Sequence, residues 1–518
     1  MVAGPESGEG SIALVPETPV ELPARAMLGI SLVRRTPVAL LLATLVCAVL
    51  ASPSQAAKGP SVRAELQRLQ TAGAIDGPTA VGYRRTYSSA KATLEKLSGF
   101  RHVQLKAVLA NVDATAAGGL FIPSRLPAVF LTLQRNRAWW ASSPLPFAGQ
   151  RVTFAPSQIV WQFYPGQGWQ IQWLGTFGKA NALWMVRTRD DDLRRLLDEA
   201  LGLATQRAGG IAFEYLFHFD GGRPPWVSGL AQGTGLSALS RGAVRLKDTK
   251  YFDAARSALG IFKAAPPTGV LDKTAAGSHY LQYSYASKLH IANGFTQALN
   301  GLHDFATLAN DDEGRALFGA GETELRVELP SFDTGAWSLY SRPGVESDLG
   351  YHKVLRDFLR GLCDRLTEDQ ARPPVAAPAS PSTSAAPSTG GTPAGSVAAA
   401  PTPDPTLYCE TAQRFTADLT TKPALKISPP SALRAKSSGT VRFTLSKVSA
   451  VTITAVRRGS VVLQRTARLG RGRHEVGVRP TQAGPLLVRV RAVDLAGNAG
   501  AAETTIHVKP AAKKHKGD

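Results

Sequence analysis

Apolar positions change their spacing several times along this chain of 518 residues. Over residues 58–113 they recur at helical intervals, most clearly at 62–69 and 90–97. Over 150–173 they alternate as strands do, in Arg151-Val-Thr-Phe and Ile159-Val-Trp-Gln-Phe-Tyr, bounded by Pro156 and Pro165. Helical spacing then returns and predicts helices over 190–206, 228–245, 250–264, 289–308, 313–329 and 351–366. Short Gly-, Pro- and Asp-rich breaks separate them. Helices of that length on short loops lie antiparallel to their neighbours, and repetition curls them into an α/α toroid. From 425 to 508 short alternating runs take over, such as Val441-Arg-Phe-Thr-Leu and Leu486-Leu-Val-Arg-Val, punctuated as in a β-sandwich.

The predicted fold class is therefore mainly α with β: a toroid preceded by a small helical and β region and followed by a sandwich. The sandwich is expected to be immunoglobulin-like or fibronectin-like, because Asp494-Leu-Ala-Gly-Asn498 resembles the late-strand turn of such modules. The domains follow as 1–57, an N-terminal extension and signal peptide; 58–187, the helical and β region; 188–422, the toroid; 424–508, the sandwich; and 509–518, a basic tail. Residues 371–406 are almost wholly Pro, Ala, Ser, Thr and Gly and cannot bury enough apolar surface to order themselves. Because Tyr408-Cys-Glu-Thr-Ala-Gln-Arg-Phe reads as one more helix, this stretch is an insertion between the last two toroid helices.

Composition adds compartment and partner. Arg34-Arg35, the apolar run 37–50 and Ser54-Gln-Ala-Ala read as a cleavable export signal, too short to span a bilayer comfortably. The expected location is secreted or associated with the cell envelope, with no stable membrane span after cleavage. Cleavage removes Cys47 and leaves Cys363 and Cys409, either as a disulfide stapling the last two helices or as two free thiols. Residues 421–518 hold 19 Lys and Arg against 4 Asp and Glu, an excess of +15 within the chain's +20. No helix-turn-helix, zinc-finger or RNA-platform signature accompanies that charge, so nucleic acid is not the expected partner. An acidic polysaccharide or an anionic cell-wall polymer fits better, bound by the C-terminal module through salt-sensitive attraction.

Candidate chemistry concentrates between residues 226 and 362. The text runs Trp226-Val-Ser-Gly-Leu-Ala-Gln232-Gly-Thr-Gly, Tyr283 ten residues before Asn293-Gly-Phe, Gly301-Leu-His-Asp-Phe, Leu329-Pro-Ser-Phe-Asp333-Thr-Gly, Tyr340, and Tyr351-His352. In this order and spacing it resembles the C-terminal domain of D-glucuronyl C5-epimerases. Phe163-Tyr164-Pro165 with Gln170-Ile-Gln172 resembles an earlier sugar-site stretch of that family. The resemblance implies that Tyr283, Tyr340 and Tyr351 are catalytic. It also implies that Asn293, Arg342, His352, Gln232, Tyr164, Gln170 and Gln172 contact substrate. Gln282 departs from the family pattern, in which an acidic residue often precedes the tyrosine.

Inverting C5 of a uronate requires removing a proton beside a carboxylate and returning one on the opposite face. Donors or cations must meet the charge that builds at the carboxylate. A phenol titrates near 10 and becomes a useful base only near cations; Arg342 and His352 are placed in sequence for that role. The chemistry calls for no cofactor, and His279 and His290 lack metal-ligand spacing, so no metal site is expected. Two other readings stand beside epimerisation: a uronate lyase, which expels the O4 substituent after the same proton abstraction, and a non-catalytic glycan- or wall-binding protein.

Overall fold

A computed structural model describes residues 59–371, 403–428 and 433–512. The predicted export signal, most of the 371–406 insertion and the end of the basic tail lie outside the described residues. Compactness divides the chain into two units. Among the described residues, the first takes in 59–123, Phe130–Val152 and Gln162–Gln170; the second takes in Ser124–Val129, Thr153–Trp161 and those from Ile171 onward.

Helices come first in the chain: α1 (Val62–Thr71), α2 (Gly77–Glu95), α3 (Gly99–Ala117) and α4 (Leu126–Ser142). The Ser61 and Asp76 side chains cap α1 and α2 by accepting from the amides of Ala64 and Thr79. In the first unit Phe100, Trp140, Phe163 and Trp169 meet with ring centroids 5.7 to 6.0 Å apart. No helix was expected over 126–142; its apolar residues spread around the axis rather than along one stripe, which removes the periodic signal. Strands β1 (Arg151–Thr153), β2 (Val160–Tyr164) and β3 (Gly168–Ile171) follow as a three-stranded sheet in that order.

The second unit is built on helical pairs. Its elements are α5 (Trp173–Met185), α6 (Asp190–Gly202), β4 (Thr205–Arg207), β5 (Gly210–Ala212), α7 (Gly229–Leu246), α8 (Lys250–Ala258) and α9 (Gly260–Lys263). Then come β6 (Leu271–Lys273), β7 (Ser278–Tyr280), β8 (His290–Ile291), α10 (Ala292–Leu308) and α11 (Asp312–Glu328). Next are β9 (Leu339–Arg342), β10 (Val345–Glu346), α12 (Leu349–Ala371) and α13 (Thr406–Asp418). Helices α5, α7, α10 and α12 neighbour one another in that order, while α6, α8, α11 and α13 pack against them as a second layer. Two glycines let α7 and α10 meet at backbone distance. A Cβ on Gly233 would lie 2.5 Å from Ala298 Cα, and one on Gly301 would lie 1.9 Å from the Gly233 carbonyl oxygen. The helix expected over 190–206 stops at Gly202 because Thr205 pairs with Ala212 in a hairpin. The helix expected from 289 begins at Ala292, since His290 and Ile291 pair with β9.

Cys363 on α12 and Cys409 on α13 form a disulfide with Cα atoms 5.0 Å apart. The bridge joins the helices on either side of the insertion.

The C-terminal strands are β11 (Leu425–Ser428), β12 (Leu433–Arg434), β13 (Gly439–Leu445), β14 (Ser449–Arg457), β15 (Ser460–Leu469), β16 (Gly472–Val478), β17 (Gly484–Asp494) and β18 (Ala499–Lys509). They form one sheet of order β11-β13-β16 and another of order β12-β18-β17-β14-β15. Alternate residues of both, among them Val441, Phe443, Val451, Ile453, Val488 and Val490, share a single core. Among the described residues no helix is long and apolar enough to cross a membrane.

Candidate active site

Three separate elements deliver the tyrosines. Tyr283 follows β7, Tyr340 lies on β9, and Tyr351 sits in the first turns of α12. All three are partly buried. The Tyr340 and Tyr351 rings lie 4.5 Å apart between centroids. Tyr340 lies beside Tyr283 and lowers its pKa. The Gln282 amide nitrogen donates to the Tyr283 hydroxyl oxygen at 2.8 Å. Burial and the neighbouring Tyr351 push Tyr283 up to about 12, while Gln282 and Tyr340 pull it back. Burial, with Tyr283 and Tyr351 alongside, drives Tyr340 higher still. Tyr283 is therefore the phenol of this pair better prepared to carry negative charge.

Gln282 is held hard against α10. A Cβ on Gly294 would fall 2.5 Å from its side-chain oxygen, so only glycine admits the amide here. That oxygen is buried and has no hydrogen-bond partner among the described residues. The amide therefore acts toward Tyr283 as a donor. Asn293, next to Gly294, is buried in the first turn of α10.

An aromatic wall stands beside Tyr283. Phe219, Trp226 and Tyr285 lie 6.0, 5.8 and 5.3 Å from its ring. Trp226 stacks at 4.2 Å on Tyr215, whose hydroxyl donates to Gln172 at 3.0 Å. Gln172 thus joins the site through two aromatic rings, while also capping α5. Phe219 and Tyr285 were not expected as site residues. The alternation Tyr283-Ser-Tyr285 is the signal that places two rings on one side.

Other expected contacts have partners of their own in the fold. His352 is fully buried, stacked on Trp337 at 3.7 Å, with Nδ1 accepting from the Ser338 amide and Nε2 facing the Phe415 carbonyl at 3.0 Å. Burial holds its pKa down to about 4, so it is neutral and cannot supply the positive charge expected of it. Gln232 is 1% exposed and donates to the Phe213 carbonyl within the core. Gln170 is 2% exposed and turns back to the Gln167 carbonyl. Tyr164 and Gln170 belong to the first unit, whereas the tyrosines belong to the second. Arg342 is nearly half-exposed, with Glu328 3.9 Å away. It shares a face of β9 with Tyr340, two residues back. Asp333-Thr-Gly builds the turn into β9: the Asp333 carboxylate accepts from the Gly335 amide at 2.8 Å.

The family model for the D-glucuronyl C5-epimerase C-terminus matches residues 207–371. The match is confined to that segment. It contains Gln282, all three tyrosines, Asn293, Arg342 and the aromatic wall from Phe219 to Tyr285. The D-glucuronyl C5-epimerase of Caenorhabditis elegans is 34% identical over 130 residues, 23% of this chain and 21% of the relative. An uncharacterized protein of Methanocaldococcus jannaschii is 27% identical over 136 residues, 25% of this chain and 44% of that protein. The chain thus spans less than half the length of both curated relatives. The crystal structure of a sugar epimerase from a ruminal bacterium superimposes with a TM-score of 0.31 and 9% identity, over 48% of this chain and 58% of that one, a likeness too slight to carry an argument.

Within the matched segment the fold also gathers His279, His290 and Glu328, whose ligand-type atoms lie within 4.8 Å of one another. Glu328 bridges the two rings, with Oε2 2.8 Å from Nδ1 of His279 and Oε1 2.6 Å from Nδ1 of His290. The other nitrogen of His290 meets Asp272 at 3.0 Å. The rings are stacked 3.9 Å apart and nearly parallel, so their lone pairs run side by side instead of converging on one ion. The arrangement is an imidazole–carboxylate array. Its hydrogen bonds to Glu328 and Asp272 raise the pKa of His290, burial lowers that of His279, and the two histidines outweigh the burial of Glu328 to hold it at about 2.

Proposed function

We propose that the chain is an exported C5-epimerase that inverts D-glucuronate residues of an acidic polysaccharide. One observation carries the reading: three phenols from separate elements converge, and one phenol oxygen accepts a hydrogen bond from a buried amide, inside a segment that the C5-epimerase family model matches. In this reading Tyr283 is the base that takes the C5 proton, its phenolate held by Gln282 and Tyr340. Tyr351 returns a proton from across the ring, Arg342 meets the carboxylate, and Asn293 fixes the sugar. The aromatic wall of Phe219, Trp226 and Tyr285 offers apolar faces for the C–H surface of a sugar.

The two-layered helical array supports an α/α toroid. For the sandwich, the sheet orders β11-β13-β16 and β12-β18-β17-β14-β15, with β12 parallel to β18, support an immunoglobulin-like module. We place the protein outside the cytoplasm, secreted or at the envelope, with its basic C-terminal strands attracted to the anionic polymer.

The test is incubation with uronic-acid polymers in deuterated water. Deuterium at C5 of intact chains supports epimerisation; ultraviolet absorbance from an unsaturated uronate would establish elimination instead. Tyr283→Phe should abolish deuterium uptake while leaving polymer binding within about twofold, and uptake persisting in that variant removes Tyr283 as the base.

A further inference from the structure

We infer that the C-terminal sandwich is a positioning element of the tyrosine site, acting through Glu346 and Lys447 on the β9–β10 hairpin; the catalytic half of this inference rests on the function proposed above. A sandwich that merely tethered polymer would meet the helical array through exposed, interchangeable contacts. Here the contacts are specific, and one of the two joints is buried.

Glu346 closes the hairpin that carries Tyr340 and Arg342, pairing with Leu339 across it. Its carboxylate reaches into the sandwich and accepts two backbone N–H groups, Val448 at 3.0 Å and Arg471 at 2.7 Å. These amides belong to two different turns, β13–β14 and β15–β16, so one side chain fixes the hairpin against both. A carboxylate accepting two amides is a strong, directional joint.

Lys447 provides the second joint. It is 1% exposed, and its ammonium group pairs with Asp494 at 2.7 Å and donates to the Asp418 carbonyl at 2.8 Å and to the Thr421 carbonyl. The two carbonyls belong to the end of α13 and the turn after it, where a helix carries partial negative charge. Asn498 adds a bond to the Leu419 carbonyl at 2.9 Å. The Asp494-Leu-Ala-Gly-Asn498 turn thereby acquires a role: it neutralises Lys447 and caps α13. The Lys447 ammonium also lies 5.4 Å from the Trp337 ring centre. Trp337 stacks on His352, the neighbour of Tyr351, and its indole nitrogen donates to the Ser347 carbonyl at 2.8 Å, beside Glu346. Tyr340 and Tyr351 are thus both held by elements that the sandwich grips.

The experiment uses the full chain carrying Glu346→Gln, Lys447→Met or Lys447→Arg. Amide hydrogen exchange is followed over residues 336–352 alongside C5 deuterium uptake. Glu346→Gln removes one of two acceptors on a partly exposed side chain and should leave the melting temperature nearly unchanged. We expect it to speed exchange across β9–β10 at least tenfold and lower kcat at least tenfold, with KM within about twofold. Lys447→Arg should recover part of the protection that Lys447→Met loses. Wild-type exchange over 336–352 in folded Glu346→Gln protein overturns the inference, and that variant decides even if Lys447→Met fails to fold. If the wild-type chain takes up no deuterium on any polymer, the epimerase reading falls, while the exchange result still decides whether the sandwich positions the hairpin.

Discussion

Replacing Gln282 by Glu tests the electrostatics of the site most directly, because it installs the acidic residue that often precedes the tyrosine in the family. The Gln282 amide donates to Tyr283 at 2.8 Å and stabilises the phenolate. A carboxylate there can only accept. A hydrogen bond to a charged group contributes about 1.5–3 kcal/mol, so losing it alone raises the Tyr283 pKa by about one to two units. Repulsion between two anions at about 4 Å adds about 4 kcal/mol at an effective dielectric of 20. Even the first effect, taken as about 2 kcal/mol, slows a step that begins from the phenolate about 30-fold at fixed pH. Gln282→Met keeps the volume, removes the donor and adds no charge, so it should slow the reaction less than Gln282→Glu. The assay is C5 deuterium incorporation into a uronic-acid polymer from pH 7 to 9, with thermal melting to confirm folding. In the wild-type protein the rate should rise nearly tenfold per pH unit, as expected for a base at about 12. A Gln282→Glu protein as fast as wild type would refute Tyr283 as base and return the proton-transfer role to the acid.

His352, held at about 4 in the fold, resists protonation that the unfolded chain accepts near 6.5. Its penalty is absent above pH 6.5 and grows as pH falls toward 4, reaching about 2 kcal/mol at pH 5; His352→Gln should flatten that part of the denaturant-midpoint profile against pH. Opening the Cys363–Cys409 bridge, which spans 46 residues, should cost about 4 kcal/mol in the chain-entropy model, read from urea melts of Cys363→Ser. Gly301→Val should prevent α7 and α10 from meeting and leave little folded protein, whereas Gly319→Ala, on a surface with open space, should fold normally. His290→Gln should destabilise the chain below pH 6.5 and much less in alkali, because a histidine whose pKa is raised stabilises only while protonated.

Much of the fold was legible because periodicity reports which side of an element is buried. Helices α7, α11 and α12 and the strands of the sandwich sit close to where the apolar spacing puts them. Helix α4 escaped because its apolar residues are spread around the axis and leave no stripe, and the helix predicted over 190–206 ran past Gly202 because strand pairing overrode local preference. The chemistry divides in the same way. Sequence order and motif spacing selected the three tyrosines, since those reactive side chains stand in a recognisable order. Sequence could not say that His352 turns inward between Trp337 and Phe415, that Gln232 serves a core carbonyl, or that Gln282 donates to Tyr283. Those outcomes depend on which residues distant in sequence arrive within hydrogen-bond reach, and only packing sets that distance. The same holds for Lys447 and Glu346: in the sequence they are ordinary charges on a basic module. Tertiary structure alone decides that one is sealed beneath a tryptophan and the other spans two turns.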